Sequence, residues 1–378
     1  MTTAALDGIT LIDLAGMGPS ARCVRVLADL GARWLRLQPP AAANRVAGDW
    51  HLYGALRGAE VLGFDLKHPD ARHLYLRLAE KADIVVEGFR PGVADRLGIG
   101  YGDLSAINPR LIYCACSGYG HSGPLAQQVG HDINYQALAG GLALIGRDGE
   151  GVPAIPAMTL ADSAGGGWQA ALRVLAALVA RNTSGQGCFL DVSAAEGVIQ
   201  LLAVDFDQHL AGEGVANSVL HGGYACYGVY GTADGKSLAV GAIEGKFFAN
   251  LCAVLGIAEA AADQYRVEAQ PALRRRLADI FQSRTRDAWV AAFAGVEACV
   301  TPVLDMGEVV DHPHWRARGS FAHYQHPRVG PARQVAAFGG GERGCPPSPQ
   351  SSSYRTVLAE LGCDPAEIEE LAAAGVVS

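Results

Sequence analysis

Lysine is nearly absent from this sequence. Of the 30 Lys+Arg residues only Lys67, Lys81, Lys236 and Lys246 are lysines, which leaves 26 arginines. Cations are outnumbered as well: 30 against 38 acids gives a formal charge of −8 at pH 7. That balance argues against a nucleic-acid partner, which would call for a basic face. It leaves room for a local anion site, because the arginine fork grips phosphate in two bonds. Charged residues make up only 18% against 50% hydrophobic, so global disorder is excluded.

Other absences narrow the class. The nine cysteines are odd in number and contain no C-x-x-C pair. A disulfide framework or zinc knuckle is not expected; reduced core thiols in a cytoplasmic protein are. No apolar run is long enough for a membrane span, so no membrane partner is expected. Met1 to Asp7 has no basic region, and the apolar stretch after it is broken by Asp13, Gly16 and Gly18, so no signal peptide is expected. Gly375 to Ser378 carries no lipidation or peroxisomal address. No internal repeat is visible. The length fits two domains, or one large one, at roughly 150 residues each.

What is present is alternation. Ile9 to Asp13, Trp34 to Leu37, Val61 to Asp65, Ile84 to Glu87, Leu111 to Ser117 and Cys188 to Val192 read as buried strands. Between them lie helical patterns, among them His68 to Lys81, His131 to Ile145, Thr159 to Arg181 and Ala194 to Leu210. Strand and helix in turn predict a parallel α/β sheet. Beyond residue 215 the texture changes. Tyr224 to Thr232 and Ser237 to Val240 flank Ala233-Asp234-Gly235-Lys236, a hairpin signal, and helical patterns follow. This predicts a smaller α+β domain. Residues 325–352, rich in Pro, Gly, Ser and Gln, read as a linker. Asp364-Pro365 opens a final helix with a cap and a first-turn proline.

Gly16-x-Gly18-x-x-Ala21 follows a strand and opens a helix, as in a dinucleotide site. Pro19 removes a phosphate-binding N–H. The second strand ends in Gln38-Pro39, where an acid should hold the ribose. The reading preferred is a tight strand-to-helix turn. His312-Pro313-His314 offers two metal ligands without a third, so no metal site is expected. Trp50, Trp168, Trp289 and Trp315 are read as packing residues.

Three segments carry chemistry. Gly130 to Tyr135 (GHDINY) sits where a helix begins, so free N–H groups there can stabilise a developing oxyanion beside a His able to act as a base. Asp162 precedes Ser163-Ala164-Gly165-Gly166-Gly167, and three glycines in a helical pattern imply close approach of a backbone or ligand. Glu244 follows an apolar strand in the second domain. Singly, each reads as a cap or a surface acid.

Together these segments resemble the family III CoA-transferase superfamily, and within it the α-methylacyl-CoA racemases. The likeness runs through Leu27 to Ala32 (LADLGA), Asp65-Leu66-Lys67, Glu87 to Gly92 (EGFRPG), Arg96-Leu97-Gly98 and the tail Glu367 to Val376. His131 within Gly130 to Tyr135, and Glu244, favour the racemase branch. The resemblance implies a Rossmann-like parallel-sheet large domain plus a smaller α+β domain, in an interlaced homodimer. The large CoA-binding domain would span 1–192, completed by 331–378. The small domain would span 224–304, with linkers at 193–223 and 305–330. The active site would lie between the large domain of one subunit and the small domain of its partner.

By the same resemblance, Phe64, Asp65, Leu66, Lys67, Gly88, Phe89, Arg90 and Arg96 line the CoA site. Gly130, Asp132, Ile133, Asn134 and Tyr135 lie at the thioester end. His131, oriented by Glu244, and Asp162 would exchange the α-proton on opposite faces of a 2-methylacyl-CoA through an enolate. The Asp132 N–H would hold the enolate oxygen. No cofactor is implied, CoA being part of the substrate. One alternative is a CoA-transferase with Asp162 as nucleophile; another is a CoA-binding protein without turnover. The sequence departs from the family at Gln38-Pro39 and at Leu56 to Ala59, where cations are usual. Arg33 and Arg36 are the nearest candidates to replace them.

Overall fold

The computed structural model describes residues 4–39, 56–146, 151–215, 218–326, 330–338 and 354–378. Trp50, the first three residues and most of the expected linker lie outside these. The chain divides into two compact units, Met1–Leu202 with His314–Ser378, and Ala203–Pro313.

In the first unit, short runs that are buried on both faces at the centre of the sheet and less so at its edges make parallel strands. They are β1 (Thr10–Asp13), β2 (Arg33–Gln38), β3 (Ala59–Gly63), β4 (Ile84–Glu87), β5 (Ile112–Ser117) and β6 (Cys188–Ser193). Their order is β3-β2-β1-β4-β5-β6, a six-stranded parallel sheet wound in both directions from β1 and β4. One face packs Leu74, Tyr75 and Leu78 of the Pro69–Lys81 helix with Val357, Leu358 and Ile368 from the tail. The other packs Cys23, Val24 and Leu27 of the Pro19–Asp29 helix with Ala170, Val174 and Leu178 of the Gln169–Ser184 helix.

Several elements differ from expectation for visible reasons. The third strand stops at Gly63: the Phe64 N–H makes the last bond to β2, at the Gln38 carbonyl (2.6 Å), and the Asp65 N–H turns to the Val376 carbonyl (3.1 Å). The tail pairs there: Gly63 and Ser378 exchange two backbone bonds of 2.7 and 3.1 Å. The helix over 131–145 breaks at Gly140, whose φ of +89° is left-handed. The helix over 159–181 begins as a π-helix, Ala161–Trp168. The segment read as a linker from 325 opens inside a hairpin, β10 (Phe321–His326) with β11 (Gly330–Val335). Arg57 anchors that hairpin: it is 1% exposed, binds Asp29 at 2.7 Å and donates to the Val335 carbonyl.

The second unit holds a three-stranded antiparallel sheet, β7 (Tyr227–Gly231), β8 (Ser237–Gly241) and β9 (Val300–Pro302). Gly235, at φ +73°, makes the turn between β7 and β8. Phe248, Leu251, Leu277, Phe281 and Trp289, from three helices, share a core with Leu238 and Val240 of β8. Among the described residues, no helix is long and apolar enough to cross a membrane.

Candidate active site

The strand order reverses between β1 and β4, and loops leaving adjacent strand ends there diverge to open a crevice. A cavity of about 760 Å³ occupies it. Its walls come from Met17 to Ser20 after β1, Gly88 to Pro91 after β4, Cys116 to Tyr119 around the end of β5, residues between Ala126 and Tyr135, and Asp162.

The β1 wall is braced from below. Asp13, fully buried, accepts bonds from Ala15 N–H (2.6 Å), Trp34 Nε1–H (2.9 Å) and Arg36 Nη1–H (3.0 Å). Arg36 also donates to the Gly16 carbonyl (3.2 Å). These bonds fix the glycine turn. Gly18 is left-handed at φ +85°, and a Cβ there would stand 3.6 Å from Asp162 Oδ2. The turn therefore abuts the site. Sequence reasoning read it as structural only; its place at a strand end was the available signal.

The glycines after Asp162 answer to neighbouring backbone. A Cβ on Gly165 would lie 2.7 Å from the Ala194 carbonyl oxygen, and one on Gly166 or Gly167 would meet Pro19 or Arg22. The π-helix is thus wedged between the Pro19–Asp29 and Ala194–Leu201 helices, and Asp162 rides on it into the cavity. Burial pushes the Asp162 carboxyl up to about 6; Asp132 adds to this, while Arg22 and His131 oppose it.

His131 stands at the N-cap of the Asp132–Leu138 helix and is exposed to the cavity. Its N–H is held by Asn134 Oδ1 (3.0 Å). Asp132 turns away from the cavity: Oδ1 accepts the Asp162 N–H (2.8 Å) and Oδ2 accepts Gln136 Nε2–H (2.5 Å). Tyr135 donates its hydroxyl to the Gly130 carbonyl (2.5 Å) and meets Tyr119 edge-on.

The cavity thus unites His131, Asp162, Gly88, Phe89, Arg90, Gly130, Asn134 and Tyr135. Other expected site residues lie apart from its walls. Phe64 is 1% exposed in the core, and its side chain serves packing. Leu66 packs against the same core, Asp65 Oδ1 accepts the Lys67 N–H (3.1 Å), and Lys67 is exposed. Arg96 is exposed on the Val93–Arg96 helix, and Ile133 is 39% exposed. Glu244 belongs to the second unit, exposed at the N-cap of the Gly245–Val254 helix. Arg33 and Arg36 do not supply replacement cations. Arg33 is paired with Glu60 (2.8 Å) and Glu360 (2.7 Å), and Arg36 is buried against Asp13.

The model for CoA-transferase family III matches residues 6–347. The chain belongs to that family. This family III chain is 39% identical to the alpha-methylacyl-CoA racemase of Homo sapiens, over 86% of its own length and 85% of the relative's. It is 31% identical to the acetyl-CoA:oxalate CoA-transferase of Acetobacter aceti, over 82% and 84%. Among solved structures, a CAIB/BAIF family protein from Brucella suis aligns with a TM-score of 0.80 at 25% identity, covering 95% of this chain and all of that one.

Proposed function

We propose that the protein is an isomerase that interconverts (R)- and (S)-2-methylacyl-CoA thioesters by proton transfer at the α-carbon. The carrying observation is that His131 and Asp162, on separate helices, line one cavity at the sheet's switch point. Removal of a proton from one face and delivery on the other needs two such groups. A carboxyl brought up to about 6 suits both tasks, since its two forms coexist near neutrality. The greater identity to a racemase than to a transferase, 39% against 31%, supports the same reading.

In this reading the thioester itself acidifies the α-proton, so no cofactor is required. His131 serves one face, oriented by Glu244, and Asp162 the other. The Asp132 N–H at the helix start holds the enolate oxygen. Arg90 on the cavity wall, with Lys67 and Arg96, serves the phosphates of CoA. The enzyme acts as a cytoplasmic homodimer in lipid metabolism, with the active site between the first unit of one subunit and the second unit of its partner.

A transferase would instead use Asp162 as nucleophile. Hydroxylamine with acyl-CoA separates the two. A transferase loses activity as its acyl anhydride is trapped; the racemase proposed here keeps converting one epimer of a 2-methylacyl-CoA into the other.

A further inference from the structure

A second, smaller cavity of about 230 Å³ lies beside the first, walled by Glu87, Arg90, Asp95, Tyr113, His121 and Phe189 among others. Arg90 lines both cavities. It is exposed and forms no ion pair among the described residues. Glu87 ends β4 and is 1% exposed. Its Oε2 accepts the Phe89 N–H at 2.5 Å and so sets the turn that carries Arg90. Its Oε1 stands 3.9 Å from His121 Nε2, beyond hydrogen-bond reach. The Tyr113 hydroxyl and His121 Nε2 are buried with no hydrogen-bond partner among the described residues. This is a polar chamber whose buried carboxyl has no lysine or arginine paired with it.

The groups facing Glu87 come from every element around it. Tyr75 of the Pro69–Lys81 helix and Tyr113 of β5 are both pushed up by burial and stay neutral. Asp95 on the Val93–Arg96 helix raises Glu87, and His121, beyond β5, is pushed down by burial against the pull of Asp191 and Asp95. Burial carries Glu87 up to about 7, with the Phe89 N–H opposing. Its charge therefore changes near neutrality.

We propose that Glu87 is a positioning residue that controls Arg90. Neutral, it leaves the guanidinium to the substrate cavity; ionised, it draws the guanidinium into the smaller chamber. The arginine fork fits a carboxylate as well as a phosphate, so the two compete for it. This rests on the reading that the larger cavity takes a CoA thioester.

The test is calorimetric affinity for free CoA between about pH 6 and about pH 8.5, for the wild type, Glu87→Gln and Arg90→Ala. Gln keeps an acceptor for the Phe89 N–H and cannot ionise. Ratios of Kd between proteins cancel the titration of CoA itself. With one charge-assisted contact at stake, the wild type should bind as well as Glu87→Gln at the acid end and about tenfold more weakly at the alkaline end. The penalty for Arg90→Ala should shrink over the same range. If Glu87→Gln does not fold, the Arg90→Ala arm decides alone. CoA binding with flat ratios overturns this proposal only. Absence of CoA binding by the wild type at every pH overturns the functional reading, and this proposal with it.

Discussion

The Asp132 carboxylate accepts the Asp162 backbone N–H at 2.8 Å, so the residue after His131 ties down the start of the π-helix that carries Asp162. The same carboxylate helps to raise the Asp162 carboxyl. One side chain thus holds its neighbour in place and adds to the effect of burial on its proton affinity.

These two effects separate by substitution. Asp132→Asn keeps an acceptor oxygen and removes the charge, so Asp162 should ionise at lower pH. In the direction where Asp162 is the base, activity should fall below about pH 6 in the wild type. In the variant that acid limb should move to lower pH, with thermal stability nearly kept. Asp132→Ala should also lose about 1–3 kcal/mol of stability, because the Asp162 N–H is left without its charged acceptor. The pH dependence of kcat/KM and thermal unfolding check both.

The glycine wedge makes a second prediction. Gly165→Ala places a Cβ 2.7 Å from the Ala194 carbonyl oxygen, and backbone must move to admit it. The expected loss is about 1–3 kcal/mol, with activity reduced as Asp162 shifts. Gly102→Ala is the control: it lies in the Tyr101–Ile107 helix with nothing within 4 Å of the new Cβ. It should be neutral or stabilising by about 0.5–1 kcal/mol. Equal losses in denaturant unfolding would contradict this account of the glycines.

Stability should respond to pH through Glu87. Its native carboxyl is raised by burial from 4.5 to about 7. Such a group favours the folded state fully below its unfolded value, and the benefit is lost as pH rises toward the folded value. Relative to Glu87→Gln, the wild type should therefore lose up to roughly 3 kcal/mol between about pH 4.5 and about pH 7. A difference in unfolding free energy that is constant across that range would contradict the burial argument.

The parallel sheet was legible because β-branched, fully apolar runs such as Ile84-Val85-Val86 have few other uses. The hairpin at Gly235 was legible from its turn residues. The β10–β11 hairpin was not, because Gln334 is buried and Val335 is exposed, which inverts the alternation that marks a strand. β9 is three residues long and ends in proline, too short for a period to show. At the candidate site, His131 and Asp162 stood out through the residues around them, and the structure brings both to one cavity. The wall formed by Met17 to Ser20 was not, since its role depends on the Asp13–Arg36 brace between two strands. Long-range pairing also explains why Arg33 and Arg36 looked available in the sequence and are engaged in the fold.

The central claim is two-base proton transfer across one cavity. Its most direct test is deuterium uptake at the α-carbon of a single epimer of a 2-methylacyl-CoA in heavy water. The wild type should incorporate label while forming the other epimer, and His131→Ala and Asp162→Asn should each lower that conversion by about 10²–10⁴-fold. No label in any of a panel of 2-methylacyl-CoA thioesters, from protein that binds CoA, would contradict it.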